Sequence, residues 1–379
     1  MRVTTLLLLI VAVLTVFGLV MLASASGVKA IELYGDPLFF VKRQLLWLAL
    51  ALLVAGVISR IDYRRWRYLA VPVFILSVIL LVLVLIPGIG TKVGGSRRWL
   101  RFGVMQIQPS EFAKFSLVIV LAWWMARERM RSREFGRGVL APMTMLGLIA
   151  GLIFLEPDYG TTMLCGLVGM AIMFAGGALL RYLVLFAGSG LTLFCIAVMH
   201  NEVRRGRVLA FLAPEKYAQT YSFQLINAIN AFVAGGWRGV GLGASVQKHF
   251  YLPEAHTDFI FAIIGEELGM LGTLGVVLLF AGICACGMRI SIKAPDWFGR
   301  LLAFGLTILI TMQAMFNIGV VTGCLPTKGL TLPFISFGGS SLMMSLAAIA
   351  VLLNIAWQSS AENIHSPLRK AAPDVEAGY

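Results

Sequence analysis

The sequence has few charged residues. Asp, Glu, Lys and Arg together make up 13% of its 379 residues, and the mean hydropathy is +0.89. A soluble domain carries about 25% charged residues, so this scarcity excludes an ordinary water-soluble enzyme. Hydrophobic residues make up 59% of the chain. The composition therefore predicts a polytopic membrane protein, in which each spanning helix needs about 20 mainly apolar residues.

Cysteine and histidine are also scarce, with five Cys and four His. The cysteines lie in or at the ends of apolar runs and lack the spacing of zinc ligands, so we interpret them as packing residues. His249 and His256 are too isolated for a zinc site, and we expect loop residues or substrate contacts. The sequence predicts no organic cofactor. It leaves open whether a divalent cation such as Mg²⁺ or Mn²⁺ takes part.

Acidic residues are fewer than basic ones, 18 against 31, which gives a net charge of +13. In a soluble chain this excess would suggest nucleic acid as a partner. In a membrane chain it indicates topology and contact with anionic lipids instead. We therefore expect membrane lipids among the partners and no nucleic acid.

The apolar runs predict an all-α fold with ten transmembrane helices. We expect one transmembrane domain over residues 1–358, with a large extracytoplasmic loop at 200–258 between helices 7 and 8. Residues 359–379 are polar and are predicted to form a disordered cytoplasmic tail. The ten predicted spans are approximately 4–23, 43–59, 68–86, 109–126, 139–155, 160–178, 181–199, 259–287, 301–323 and 339–357.

The distribution of Lys and Arg predicts that both termini lie in the cytoplasm, because basic residues outside long loops concentrate on the cytoplasmic side. One short outer loop breaks this rule, since it holds Lys92, Arg97, Arg98 and Arg101. An anionic ligand outside the membrane would explain these charges.

The same loop leads into the fourth span, where Glu111 and Lys114 lie near the helix start. Residues three apart share a helix face, and ionisable residues within a span are usually paired or functional. We therefore regard Arg97, Arg98, Trp99, Glu111 and Lys114 as candidate site residues. The alternative is a structural Glu111–Lys114 pair with an interfacial anchor formed by the arginines and Trp99.

Asp258 is the strongest candidate for a catalytic residue. It lies where a long apolar helix begins, so the helix dipole favours its ionised form while the hydrocarbon opposes it. A carboxylate beside cationic residues suits a general base next to an anion clamp. The alternative role is an N-terminal helix cap. Glu266 and Glu267, deeper in the same helix, have structural intramembrane pairing as their alternative.

Two further segments predicted on the outer face also combine charged residues with glycines. Residues 200–258 include a re-entrant or interfacial part at 221–234 and a glycine-rich run at 235–243, whose backbone N–H groups are able to point at a phosphate. Lys248, Glu254 and His256 follow. The segment 325–341 combines Lys328 with glycines and hydroxyl residues, Ser340 among them. Three segments of similar chemistry predict one shared cavity on the outer face.

These segments together resemble the SEDS family (shape, elongation, division and sporulation) of membrane peptidoglycan glycosyltransferases over about residues 4–357. Gln247, Lys248 and the string at 326–329 are similar to its division-type FtsW branch rather than the elongation-type RodA branch. One departure is Phe337, where the family usually has Tyr. The matching stretches are 96–100 with 108–114, 156–161, 251–262 with 265–269, and 325–341.

The resemblance implies the SEDS fold and polymerisation of lipid II into β-1,4 glycan strands at the outer face of the bacterial inner (cytoplasmic) membrane. Asp258 matches the essential aspartate of the family and would accept a proton from the acceptor 4-hydroxyl as undecaprenyl pyrophosphate leaves. The implied protein partners are a cognate class B penicillin-binding protein, which is a transpeptidase, and other division proteins. The expected substrate-binding residues are Arg97, Arg98, Trp99, Glu111, Lys114, Lys248, Glu254, His256, Lys328 and Ser340.

Three alternatives remain open at the level of the sequence. Intramembrane charges and a cavity would also serve a lipid II flippase, although no inverted repeat or pair of broken helices is apparent. A division scaffold would recruit partners without chemistry. A RodA-like polymerase would catalyse the same reaction during elongation.

Overall fold

The structure is a computed structural model that describes residues 2–93, 96–103, 105–200, 202–220, 222–248 and 252–370. Over these residues the chain forms twelve α-helices and one small sheet. The helices are α1 (Val3–Tyr34), α2 (Phe39–Arg60), α3 (Trp66–Leu85), α4 (Pro109–Arg127), α5 (Ala141–Leu155), α6 (Tyr159–Ala175), α7 (Leu180–Met199), α8 (Glu202–Leu212), α9 (Phe223–Gly235), α10 (Ile260–Lys293), α11 (Trp297–Val321) and α12 (Gly339–Lys370).

Each of the ten predicted spans overlaps a helix, which confirms the all-α membrane fold. Among the described residues, seven helices are long and apolar enough to cross a membrane by length and composition, and α6, most of α7 and α9 form shorter apolar helices. The fourth predicted span corresponds to α4, which carries Glu111 and Lys114 near its start. The count of ten spans stays a prediction.

Three helices form the centre of the bundle. The most apolar stretches of α11 and α12 are 72% and 83% buried, and most residues of α4 are buried as well. The surrounding helices α2, α3 and α10 bury only 17–22% of theirs, as expected where lipid replaces water as the solvent. The polar residues of α4 and α11 therefore lie in the protein interior and not against hydrocarbon.

The connection between α3 and α4 contains a three-stranded antiparallel sheet that the sequence analysis did not predict. Its strands are β1 (Gly90–Val93), β2 (Ser96–Phe102) and β3 (Met105–Ile107), paired in that order. Side chains alternate between the two faces of a strand. The register pairs Trp99 with Thr91 but Arg97 with Lys92, so a bulge at Arg98 interrupts this alternation in β2. Because Thr91 and Lys92 face opposite sides of the sheet, their partners Trp99 and Arg97 lie on opposite faces as well.

Helix α10 is broken at Gly269, whose backbone angles are φ 66° and ψ −160°. The glycine-rich run fills the break: Val240 and Gly241 donate their N–H groups to the carbonyls of Glu266 and Glu267, at 2.9 and 3.0 Å. These carbonyls lie about 10 Å below the start of α10 at 1.5 Å per residue. The end of helix α9 and the run after it therefore lie beside this break. The re-entrant or interfacial part at 221–234, of which residue 221 lies outside the described residues, stays a prediction.

The expectation that the glycine-rich run presents its amides to a phosphate is therefore wrong for these two N–H groups. In addition, the N–H of Gly239 bonds to the carbonyl of Gly235 at 2.7 Å. Irregular backbone at membrane depth is tolerated where protein groups satisfy it, and the break in α10 supplies them. The run completes a broken helix and does not form a phosphate-binding loop through these amides.

Gly269→Ala is expected to lower the free energy of unfolding by at least about 1–3 kcal/mol, because this backbone region is nearly restricted to glycine. A Cβ atom there would also lie 2.4 Å from the backbone nitrogen of Gly239. The measurement is the melting temperature of the purified protein in detergent. Gly275→Ala is the matched control, since a Cβ there meets nothing within 4 Å and alanine favours helix. Equal melting temperatures for the two variants would contradict the prediction.

At the C-terminal end, α12 continues to Lys370, which is 11 residues beyond the predicted start of the disordered tail at 359. The first part of that tail is therefore helical. Residues 371–379 lie outside the described residues.

Candidate functional site

Asp258 lies two residues before the first residue of α10. Asn317 of α11 donates from Nδ2 to the backbone carbonyl of Asp258 at 2.8 Å and to that of Leu330 at 2.6 Å. A Cβ added to Gly329 would lie 2.8 Å from Oδ2 of Asp258. The carboxylate therefore rests directly against the 325–338 segment. The N-cap of α10 is Phe259, so Asp258 does not occupy the alternative role of helix cap.

Arg98 binds the hinge between α5 and α6. Its Nε donates to the carbonyl of Glu156 at 3.0 Å, and a terminal nitrogen donates to that of Pro157 at 2.5 Å. Its other terminal nitrogen lies 3.6 Å from Oδ2 of Asp158. The second carboxylate oxygen of Asp158 accepts a hydrogen bond from the N–H of Thr161 at 3.1 Å and so caps α6. The guanidinium thus fixes the start of α6 beside the site.

The surroundings of Asp258 raise its pKa to about 7, mainly through burial. Burial makes the largest contribution, because it disfavours the ionised form. Repulsion from Glu254 and Asp158 adds to it, whereas Arg98 and Arg207 oppose it. A carboxylate with a pKa near neutral pH is well matched to accept a proton in a reaction at that pH.

Glu156 is fully buried in the same hinge, and among the described residues its carboxylate oxygens have no hydrogen-bond partner. Burial and the nearby Asp158 raise its pKa to about 9, although Arg98 opposes this shift. The side chain is therefore a neutral carboxylic acid at neutral pH, and Arg98 pairs with Asp158 rather than with Glu156.

Lys328 faces this cluster from the 325–338 segment. Its ammonium lies 3.6 Å from Sδ of Met163 and 5.1 Å from the ring centroid of Phe194. Burial lowers its pKa, and the charge of Asp158 acts in the opposite direction. The structure therefore brings together Arg98, Lys328, Asp158 and Asp258, which come from four separate parts of the chain.

Lys114 and Glu111 form an ion pair of 2.7 Å in the protein interior, and Lys114 also donates to Oε1 of Gln313 at 2.7 Å. The side chain of Lys114 is only 2% exposed. Gln313 in turn donates to the carbonyl of Thr331 at 3.1 Å. This network joins α4, α11 and the 325–338 segment, a geometry that favours the structural alternative for the pair.

Lys248 points away from Asp258. Its ammonium lies 3.1 Å from Oε1 of Glu267 and 2.5 Å from the carbonyl of Gly243. Ser24 of α1 donates to the same carboxylate at 2.6 Å. Glu266 accepts hydrogen bonds from Ser245 and, at 2.8 Å, from the N–H of residue 246. Both glutamates therefore hold the 243–248 segment, and the structure does not place Lys248 with the site.

The remaining candidates surround the site at different distances. His256 is buried with its ring centroid 4.6 Å from that of Phe40, and burial and Lys29 lower its pKa to about 4 against the effect of Glu254. Glu254 forms an exposed pair with Lys29 at 3.2 Å. Ser340 accepts from the N–H of Gln108 at 3.1 Å. Arg97 and Trp99 lie on opposite faces of the sheet, because their partners on β1 are the adjacent residues Lys92 and Thr91. His249 lies outside the described residues.

Sequence reasoning gave no role to Asp158, Asn317 or Gln313. Asp158 is three residues before Thr161 at a helix start, a spacing typical of an N-cap, so a local signal for its structural role was present. Asn317 and Gln313 lie within an apolar span, where a polar amide is a signal for an interior hydrogen bond. Nothing in the local sequence indicates which loop each one binds.

No metal site is apparent in the part of the chain that the structure describes. No group of three or more His, Cys, Asp or Glu residues there is arranged to hold a metal ion, and Asp158 is already engaged by Arg98. The described side chains therefore do not form a protein-held cation site.

Comparisons with known proteins identify the family of the chain. A family model described as a cell cycle protein, FtsW/RodA/SpoVE, matches residues 4–361. The probable peptidoglycan glycosyltransferase FtsW of Trichlorobacter lovleyi is 45% identical over 352 residues, which is 92% of each chain. The protein of the same name from Pseudomonas fluorescens is 41% identical over 90% of this chain and 85% of that one.

Solved structures show the same fold. A chain of a peptidoglycan synthase complex, described as coordinating polymerization and crosslinking, matches with a TM-score of 0.78 at 28% identity, over 93% of this chain and 97% of that chain. The rod shape determining protein RodA of Thermus thermophilus matches with a TM-score of 0.70 at 27% identity, over 93% and 96%. These matches confirm the SEDS fold.

Proposed function

The chain belongs to the FtsW/RodA/SpoVE family of cell cycle proteins and is a multi-pass membrane peptidoglycan glycosyltransferase, and we propose that it joins lipid II units with Asp258 as the general base. The observation that carries this proposal is the position of Asp258: Asn317 binds its backbone carbonyl, its carboxylate lies against Gly329, and the positive charge of Arg98 acts on it. The identity to FtsW proteins favours a role in cell division over one in elongation.

In the proposed reaction, Asp258 accepts the proton of the acceptor 4-hydroxyl, and that oxygen attacks the anomeric carbon of the donor. The bond from this carbon to the undecaprenyl pyrophosphate breaks in the same displacement. An α-linked donor gives a β-1,4 glycan with one inversion, so a single base is sufficient. The charges of Arg98 and Arg207 act on Asp258, and Lys328 is the neighbour in sequence of Gly329, which contacts the carboxylate. These cations would stabilise the departing diphosphate in a low-dielectric setting.

Lys114 and Lys248 were also expected to bind the substrate. Both ammonium groups are engaged by buried glutamates, so their direct contribution stays a prediction. A divalent cation, if the reaction uses one, would be held mainly by the diphosphate, because the described side chains do not form a site for it.

The rate of polymerisation is expected to rise with pH through about 7. The pKa of Asp258 is raised to about 7, so at lower pH the carboxyl is protonated and unable to act as a base. Glu254→Gln removes a negative charge that raises this pKa, and its half-maximal rate should therefore fall at a lower pH.

The measurement is kcat for labelled lipid II between about pH 5 and 9. Glu32→Gln, an exposed residue of α1, is the control and should leave the profile unchanged. A rate that is constant across this range, or a profile that Glu254→Gln moves to higher pH, would contradict the assignment.

The function itself is tested by incubating purified protein with lipid II and separating the products by length. Leaflet accessibility of the substrate is measured separately in liposomes. We expect polymer without translocation. The break in helix α10 favours a flippase as the second candidate function, because broken helices are also found in transporters. Translocation without polymer would support the flippase instead.

The same proposal places the protein in the cytoplasmic membrane with both termini inside the cell. Its proposed protein partner is a class B penicillin-binding protein, since a similar chain comes from a peptidoglycan synthase complex that coordinates polymerization with crosslinking. Other division proteins are expected to join this assembly.

A further inference from the structure

The ammonium of Lys328 lies against soft groups and not against a carboxylate. Among the described residues its contacts are Sδ of Met163 on α6, at 3.6 Å, and the ring centroid of Phe194 on α7, at 5.1 Å. The carboxylate that acts on its charge is that of Asp158, which pairs with Arg98 instead. The side chain of Lys328 is half-buried. Its positive charge therefore has little local compensation.

The unpaired state distinguishes Lys328 from other cations in the outer half of the protein. Lys114 and Lys248 each form an ion pair with a buried glutamate, at 2.7 and 3.1 Å. An unpaired ammonium is costly to bury, and an incoming diphosphate would supply the missing negative charge. Lys328 is therefore in the state expected of a cation that binds an anion during the reaction.

Phe194 departs from the pattern of its own helix. Residues 188–193 and 195–196 of α7 are exposed, whereas Phe194 is half-buried. Its ring centroid lies 6.3 Å from that of Phe154 and 5.9 Å from that of Tyr159, and these two rings contact each other at 4.9 Å. The three rings form a cluster that holds Phe194 beside the hinge between α5 and α6.

The ring of Phe194 stabilises the charge of Lys328 without neutralising it. A cation within about 6 Å of a ring centroid is attracted by the negative face of the ring. Because the ring carries no net charge, it does not compete with a diphosphate for the ammonium as a carboxylate would. The next residue, Gly329, lies against the carboxylate of Asp258. The backbone that carries the ammonium is therefore directly beside the proposed base.

We propose that Phe194 is a positioning residue, which holds the unpaired ammonium of Lys328 at the edge of the site, where it binds the diphosphate of the lipid. The inference rests on the function proposed above, because it names how one cation of that site is held. It assigns a role to α7, to which that function gives none.

The test measures the dissociation constant of undecaprenyl pyrophosphate by native mass spectrometry of the full-length protein in detergent. Phe194→Leu keeps an apolar side chain without the ring and should weaken binding by about tenfold, as expected for a partly buried cation–π contact. Phe194→Tyr keeps the ring and should bind within about twofold of the unchanged protein. The matched control is Phe186→Leu, which removes another ring of α7, in contact with Phe135, and should also stay within about twofold.

A double variant separates positioning from packing. Lys328→Met removes the ammonium, and Phe194→Leu/Lys328→Met should bind no more weakly than Lys328→Met, because the ring then has no cation to hold. Losses that multiply in the double variant would show that the ring only packs and would overturn the proposal. Normal binding by Phe194→Leu, binding by Phe194→Tyr as weak as by Phe194→Leu, or no binding by the unchanged protein would also overturn it. Melting temperatures verify that the variants are folded.

Polymer synthesis from labelled lipid II by the same variants distinguishes this inference from the proposed function. We expect Phe194→Leu to lower kcat/KM by about tenfold, in line with its loss of binding. If the unchanged protein makes no polymer while binding follows the expected pattern, the proposed function is contradicted and the role of Phe194 is supported. Polymer synthesis that does not depend on Phe194 contradicts the inference alone.

Discussion

Replacement of Asp258 by asparagine is expected to slow glycan synthesis by about 100- to 10,000-fold, the range that a general base contributes. The amide has nearly the same shape as the carboxylate but accepts no proton at neutral pH. Asn317 binds the backbone carbonyl of Asp258 and not its side chain, so the loop should keep its structure. The measurement is the amount and length of polymer from labelled lipid II, together with the melting temperature.

The matched control for this variant is Asp36→Asn, which changes another aspartate on the outer face that pairs only at the surface with Lys42. Its rate should stay within about twofold of the unchanged protein, since surface pairs contribute little. A folded Asp258→Asn protein that polymerises lipid II at the normal rate would contradict the proposed mechanism.

The second large effect concerns stability. Lys114→Met should lower the free energy of unfolding by about 3–5 kcal/mol, because it leaves the buried carboxylate of Glu111 without its partner. Gln313 would also lose the ammonium that donates to it. The measurement is thermal unfolding of the purified protein in detergent.

The double variant Glu111→Gln/Lys114→Met removes both charges and should recover most of this loss. Because the side chain of Lys114 is only 2% exposed, we expect the double variant to recover activity as well. A double variant as unstable as Lys114→Met would contradict the prediction of stability. A stable but inactive double variant would show that Lys114 acts on the substrate.

The features that the sequence predicted best are local ones. The spacing of Glu111 and Lys114 puts both on one helix face, and the structure pairs them at 2.7 Å. Asp258 was expected at the outer start of a long apolar helix, and α10 begins two residues after it. In both cases the helix itself determines the position of the side chain.

The features that the sequence did not predict depend on contacts between distant segments. The break in α10 requires N–H groups from residues 240 and 241, and a single glycine within an apolar run does not reveal them. Lys248 has the charge expected of a substrate ligand, but its partners are Glu267 and, from the opposite end of the chain, Ser24. The pairing of Arg98 with Asp158 likewise depends on the fold of the outer sheet.

The break at Gly269 also has a mechanical consequence. It leaves residues 260–268 as a rod about 13 Å long at 1.5 Å per residue. Asp258 adjoins one end of this rod, and the other end is tethered through Glu266 and Glu267 to the 240–248 segment. The residues beside the carboxylate and the 240–248 segment are therefore joined through one short helical unit, which the break separates from the longer part of α10.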